Sequence, residues 1–195
     1  MVTLDCRGQQ CPQPVIQVRR QLLAEPGTPL QVLVGDPAAR DNVGRLATSY
    51  GYRVTVSEAD GAFRLDLAPA AANASAPRPA APAAGPTVVL VASDQIGHGD
   101  PQLGRVLMKN FLFTLTEGDA SPDLMLFLNG GARLTVAGSE VLEPLQKLAD
   151  LGTDIATCGL CLEFFHLKES LAVGRVSNML ETVNALQGAG RVIRP

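Results

Sequence analysis

The sequence predicts an α/β protein in two parts. The N-terminal part reads as a βαβαββ two-layer sandwich and the C-terminal part as a mostly parallel, three-layer α/β/α sheet. Three observations carry this expectation. Strand and helix periods alternate over residues 2–67; residues 68–86 are almost all Ala and Pro; and residues 87–92 resume with a continuous apolar run. A run of that kind is typical of a strand buried on both faces, and further β–α alternation after it implies a parallel sheet covered on both sides.

In chain order, Val2-Thr3-Leu4 is a short strand, followed by a polar turn through Asp5, Cys6, Arg7 and Gly8. Apolar residues at Val15, Val18 and Leu22, and at Ile16 and Leu23, then mark one face of an amphipathic helix. Pro12 suits its first position and Pro14 its first turn, because the N–H that proline lacks has no intrahelical partner there. The helix stops near Glu25-Pro26-Gly27, and residues 29–34 form a strand. Asp36 is the expected N-cap of a second helix with Pro37 at its first position, running to about Tyr50 and ending at Gly51. Residues 52–56 alternate as a strand, residues 58–61 turn, and residues 63–67 return as the hairpin partner.

Residues 68–86 have no apolar periodicity and are expected to be a semi-extended tether. At about 3 Å per extended residue, such a tether reaches several tens of ångströms and raises the effective concentration of two sites it joins. The domains expected are therefore 1–67, a linker 68–86, and 87–195. In the second, the strand at residue 87 leads to the loop Ile96-Gly97-His98-Gly99-Asp100 and a helix opened by Pro101, to about Gly118. There follow a strand at 123–128, a loop Asn129-Gly130-Gly131, and a helix from about Ser139, its expected N-cap, to Leu151, whose start Pro144 can delay by a few residues. A third strand at 153–157 enters Cys158-Gly159-Leu160-Cys161 and a helix ending near Ser170. A weak strand at 171–176, a helix at 178–186 and a last strand at 191–193 complete the chain.

Charge and composition narrow the function classes. A net charge of −3 without any Lys/Arg block speaks against a nucleic-acid partner. No segment has the length and apolarity to span a bilayer, and the N-terminus lacks the basic and apolar regions of a signal peptide. The four cysteines are then expected to be cytoplasmic thiols with chemistry rather than a disulfide framework.

Cys11 is the first candidate. It stands at or beside a helix N-cap, among polar Gln9, Gln10 and Gln13, with Arg7 nearby as a cation. Helix dipole and cation both depress a thiol pKa, and the Pro12/Pro14 turn gives the sulfur a rigid base. In an open parallel sheet, functional loops gather beyond the carboxyl ends of the strands, which singles out Gly97 and His98, Asn129, and the Cys158/Cys161 pair. Cys158 is expected to be the more exposed and acidic thiol, with Cys161 one turn into the helix. The pair admits four readings: a metal site, short of ligands with only His166 near in sequence; a dithiol redox centre; a sulfur-relaying site; or structural filler. No metal and no cofactor is expected.

The string Asp5-x-Arg7-Gly8-x-x-Cys11-Pro12-x-Pro14 resembles the signature of the TusA/SirA family of small sulfur carriers. The resemblance implies that Cys11 carries sulfur as a persulfide, taken from a cysteine-desulfurase-like donor and handed to acceptor proteins. Cys6 falls on a variable position, with no role beyond a possible neighbouring thiol. Ile96-Gly97-x-Gly99-Asp100, Leu107-Met108, Phe111, Phe127-Leu128-Asn129, Cys158-Gly159-x-Cys161-Leu162 and Asn178-Met179 resemble the second half of YedF-type proteins, in which a TusA-like domain precedes a DsrE-like one. That resemblance implies selenium or sulfur metabolism, a homo-oligomer (trimer or hexamer), and a persulfide accepted on Cys158 with Cys161 as resolving partner. Leu160 stands where the family commonly has Thr, which removes a hydroxyl beside the sulfurs. The expected function is a persulfide carrier and relay of sulfurtransferase type. A non-catalytic oligomeric scaffold and a dithiol oxidoreductase are the alternatives.

Overall fold

The computed structural model describes residues 2–10, 12–59, 61–70 and 85–195. Cys11 and residues 71–84, most of the expected linker, lie outside the described residues. The chain divides into two compact units, Met1–Ala81 and Pro82–Pro195.

The first unit runs β1 (Val2–Asp5), α1 (Gln13–Ala24), β2 (Leu30–Val34), α2 (Pro37–Ser49), β3 (Tyr52–Ala59) and β4 (Ala62–Pro69). Its mixed sheet has the order β1-β2-β4-β3. β1 and β2 run parallel with Val2 opposite Leu30, and the other pairs are antiparallel. Alternation in β2 buries Leu30, Val32 and Val34, which meet Leu65 and Leu67 of β4, Val18 and Leu22 of α1, and Val43 and Ala47 of α2 in one core. Each such side chain contributes roughly 1.5–3 kcal/mol on full burial. Leu23, expected on the apolar stripe of α1, is instead 47% exposed, one step around the helix from buried Leu22. Pro12 is the N-cap of α1 rather than its first residue, and Pro14 is buried in the first turn. The Asp36 carboxylate caps α2, accepting from the Ala39 N–H at 2.9 Å.

The second unit runs β5 (Thr87–Val91), α3 (Pro101–Leu115), β6 (Leu124–Phe127), α4 (Leu142–Asp150), β7 (Asp154–Cys158), α5 (Gly159–Phe164), β8 (Arg175–Ser177), α6 (Met179–Gly188) and β9 (Arg191–Ile193). Its sheet is parallel throughout, in the order β8-β7-β6-β5-β9. Successive strand residues face opposite ways. Val89, Met125 and Ile155 pack with Met108 and Leu112 of α3 and Leu145 and Leu148 of α4, whereas Val88, Leu126 and Ala156 pack with Ala185 and Leu186 of α6.

Three elements differ from the sequence expectation. A 3-10 helix, Asn129–Thr135, occupies what reads as a loop. Its backbone passes so close to β5 that a Cβ on Gly131 would lie 2.3 Å from the Val91 carbonyl oxygen. The helix after Cys158 ends at Phe164, because His166 takes φ +57° and a separate 3-10 turn, Lys168–Ser170, follows. Finally, the strand expected at 171–176 forms only from Arg175. Gly174, at φ +77°, crosses Ile155 so tightly that a Cβ would sit 2.2 Å from its carbonyl oxygen. Among the described residues, no helix is long and apolar enough to cross a membrane.

Candidate thiol sites

Cys158 is the last residue of β7 and pairs in register with Ser177 of β8. Immediately after it, Gly159 lies against β8, where a Cβ would meet Val176 Cγ1 at 2.9 Å and the Ser177 carbonyl oxygen at 3.4 Å. This close passage covers the strand end, and Cys158 is only 3% exposed. The expectation that Cys158 is the more exposed thiol is therefore overturned: Cys161, one turn later, is the half-buried sulfur. Both are free thiols.

Cys161 Sγ accepts a hydrogen bond from the Asn129 backbone N–H at 3.1 Å. Asn129 takes φ +46°, in the left-handed region that Asn tolerates better than most residues. Burial pushes the Cys161 thiol above its ordinary range, and the adjoining Cys158 thiol adds to that, while the Asn129 N–H opposes both. The pair thus has one donor already aimed at the outer sulfur. A thiolate formed there finds a partner in place.

The loops expected at the strand ends do converge. Ser93, Gln95, Gly97, His98, Asn129 and Gly130 line a polar cleft of about 570 Å³. Gly97 holds φ +79°, and His98 is exposed. Asn129 is shared between the two features: it lines the cleft with His98 and serves Cys161 through its N–H. Among the described residues, no cluster of three or more His, Cys, Asp or Glu side chains could hold a metal ion.

In the first unit the turn before Cys11 is held by Asp5 and Arg7. Arg7 Nε donates to Asp5 Oδ1 at 2.9 Å, Nη2 meets Oδ2 at 2.5 Å, and the Arg7 backbone N–H adds a third bond at 3.1 Å. These bonds, the side-chain ones foremost, hold the Asp5 carboxyl down to about 2. The Arg7 charge is thus paired with the Asp5 carboxylate within the same turn. Gly8 follows at φ +75°, turning the chain toward α1.

Cys6 belongs to the core. It is 1% exposed, its N–H donates to the Leu33 carbonyl at 2.8 Å and its Sγ donates to Gln17 Oε1 at 3.3 Å. Burial, then the Asp5 charge, pushes its thiol up. The period-two pattern Val2, Leu4, Cys6 signals that inward position in the sequence.

One polar residue of the second site escapes sequence reading altogether. Ser177 is 5% exposed, and its Oγ is buried without a hydrogen-bond partner among the described residues. A serine ahead of the helix cap Asn178 carries no signal of this; only the register with Cys158 reveals it.

Residues 2–67 match the family model described as sulfurtransferase TusA. Among solved structures, the SirA-like protein from Desulfitobacterium hafniense is 33% identical, covering 36% of this chain and 99% of its own, with a TM-score of 0.34. The ychN protein from E. coli is 14% identical, covering 56% of this chain and 99% of its own, with a TM-score of 0.43.

Proposed function

Starting from an N-terminal unit that is a TusA/SirA-like sulfurtransferase domain, we propose that this protein is a persulfide carrier and relay. The match of residues 2–67, which span Cys11-Pro12-Gln13-Pro14, is the observation that carries the reading. Proteins of the TusA family are sulfur-relay proteins that interact with sulfur donors and acceptors. Cys11 takes the sulfur by thiolate attack on the persulfide of a cysteine-desulfurase-like donor and exchanges it with the Cys158/Cys161 pair or with acceptor proteins. Pro12 and Pro14 stiffen the start of α1, which follows Cys11 in sequence. Gly97, His98 and Asn129 shape the approach to the second site. Selenium in place of sulfur follows the same chemistry and is the cargo suggested by the YedF resemblance.

The second unit is proposed to be a DsrE-like domain (87–195), joined through the 68–86 linker to the carrier domain (1–67). Its parallel sheet, with a cysteine ending the third strand in chain order, supports this. Self-association is part of the reading. Leu160 and Phe164 on α5, Val176 on the edge strand β8, and Met179 and Leu180 on α6 are all exposed apolar side chains. Cytoplasmic localisation accords with free thiols, which reducing compartments preserve.

Intact-protein mass spectrometry after incubation with a cysteine desulfurase and cysteine tests the carrier. Wild type is expected to gain the mass of a sulfur atom, and Cys11→Ser is expected to lose the adduct on the N-terminal domain. A wild type that gains no sulfur defeats the reading.

A further inference from the structure

The Cys158/Cys161 pair is asymmetric in three respects that bear on the order in which its sulfurs work. Cys161 is half-buried, whereas Cys158 is 3% exposed. Cys161 Sγ has the Asn129 N–H at 3.1 Å. Cys158 has beside it a buried hydroxyl, Ser177 Oγ, which lacks any partner among the described residues. Directly paired residues on neighbouring parallel strands project to the same face, about 4.8 Å apart, so the Ser177 hydroxyl and the Cys158 thiol share one side of the sheet. A buried, unpartnered hydroxyl costs free energy, and a neighbouring anion would satisfy it.

We propose that Cys161 is the thiol that receives the sulfur, that Cys158 is the buried thiol that resolves it, and that Ser177 is a positioning residue whose hydroxyl donates to the Cys158 thiolate. This is the reverse of the order the family resemblance implies, and it rests on the relay reading only for the source of the sulfur.

In the first step the Cys161 thiolate attacks the terminal sulfur of a persulfide. A new S–S bond forms on Cys161, the donor S–S bond breaks, and the donor sulfur leaves as a thiolate that takes up the proton Cys161 released. In the second step the Cys158 thiolate attacks Cys161 Sγ. The Cys158–Cys161 bond forms, the bond from Cys161 to its terminal sulfur breaks, and hydrosulfide leaves. The pair gives up an electron pair and the transferred sulfur gains it. A dithiol reductant then returns the disulfide to two thiols.

The second step needs an anion at Cys158, which is 3% exposed and has few water molecules to hydrogen-bond it. Ser177 supplies the donor that offsets this. The titratable groups around that face are Cys161 on α5 and, further up the strands, Arg175, which Asp154 holds at 2.7 Å and Glu181 also engages. Arg175 is engaged by both carboxylates, so Ser177 is the hydroxyl donor whose removal the pH profile of sulfide release reports.

The test uses the full chain carrying Cys11→Ser, so that the carrier thiol takes no part, with inorganic polysulfide as the sulfur source. Limiting iodoacetamide followed by peptide mass spectrometry ranks the thiols of the folded protein without altering the pair, and Cys161 is expected to react about tenfold faster than Cys158. Cys158→Ser is expected to hold a sulfur adduct on Cys161 and release no sulfide, and Cys161→Ser to take up none. Ser177→Ala is expected to leave loading of Cys161 unchanged and shift the pH profile of sulfide release upward, with Ser177→Thr restoring it. Faster alkylation of Cys158, an adduct retained in Cys161→Ser but lost in Cys158→Ser, or uptake by neither thiol overturns the order. An unshifted profile in Ser177→Ala overturns the role of the hydroxyl. Should desulfurase fail to load Cys11 while polysulfide still loads Cys161, the carrier reading falls and this order stands.

Discussion

The Asp5 carboxylate is held by both the guanidinium and the backbone of Arg7, and its folded pKa of about 2 lies below the ordinary 3.8. A depressed carboxyl contributes stability that is fully present above its unfolded pKa and lost as pH falls through its folded one. That contribution should therefore disappear between about pH 4 and pH 2. Urea midpoints measured across this window should fall less steeply in Asp5→Asn than in wild type. Cys6 makes a different prediction. Its thiol is buried and hydrogen-bonded to Gln17, so Cys6→Ser should cost about 1–2 kcal/mol of stability while leaving sulfur uptake by Cys11 unchanged. Chemical denaturation and intact mass spectrometry check the two halves of that statement. Cys6 reads as part of a polar turn, although the spacing of Val2 and Leu4 before it extends inward to it. The burial of Cys158 was not legible, because it depends on Val176 and Ser177 arriving from a strand that comes seventeen and more residues later in the chain.

At the scale of elements, the Asp36 cap was legible, whereas the cap expected at Ser139 does not form: α4 begins at Leu142, with Val141 at its N-cap and no side-chain bond there. Asp36, Asp100 and Asn178 each accept from an N–H in the first turn, at 2.9, 2.9 and 3.0 Å. Local chemistry decides these, so local sequence reveals them. The 3-10 helix after β6 is set by close packing of Gly131 against β5, and the early end of α5 by the left-handed turn at His166, neither of which a local apolar pattern encodes. Gly131 makes the point testable. With Val91 O only 2.3 Å from where its Cβ would stand, Gly131→Ala should destabilise the second unit by about 2 kcal/mol and push the Asn129 N–H away from Cys161. Loss of that donor raises the Cys161 pKa further, so alkylation of Cys161 at neutral pH should slow. Wild-type alkylation kinetics in a folded Gly131→Ala protein would detach Asn129 from the chemistry.

At the scale of the whole molecule, the mixed and parallel sheets were legible because each strand's period-two or all-apolar pattern follows from which of its faces is covered. The surface of the second unit was less so. Phe164 is 74% and Leu180 71% exposed, and β8 leaves one edge of the sheet open. Exposed apolar side chains of this size, beside an unpaired edge, favour association. Replacing Phe164 and Leu180 together by Asp should lower the particle mass measured by light scattering toward that of a single chain. An unchanged mass would place any association elsewhere.

The hydrogen bond from Asn129 to Cys161 has one further consequence. A thiol, a persulfide sulfur and a disulfide sulfur differ as acceptors, and an amide proton's resonance follows the strength of the acceptor it faces. In protein labelled with nitrogen-15, the Asn129 cross-peak should therefore take a distinct position for each chemical state of the pair. A spectroscopist following that one peak during a reaction with polysulfide would watch the sulfur arrive and leave in real time, without cleaving or derivatising the protein.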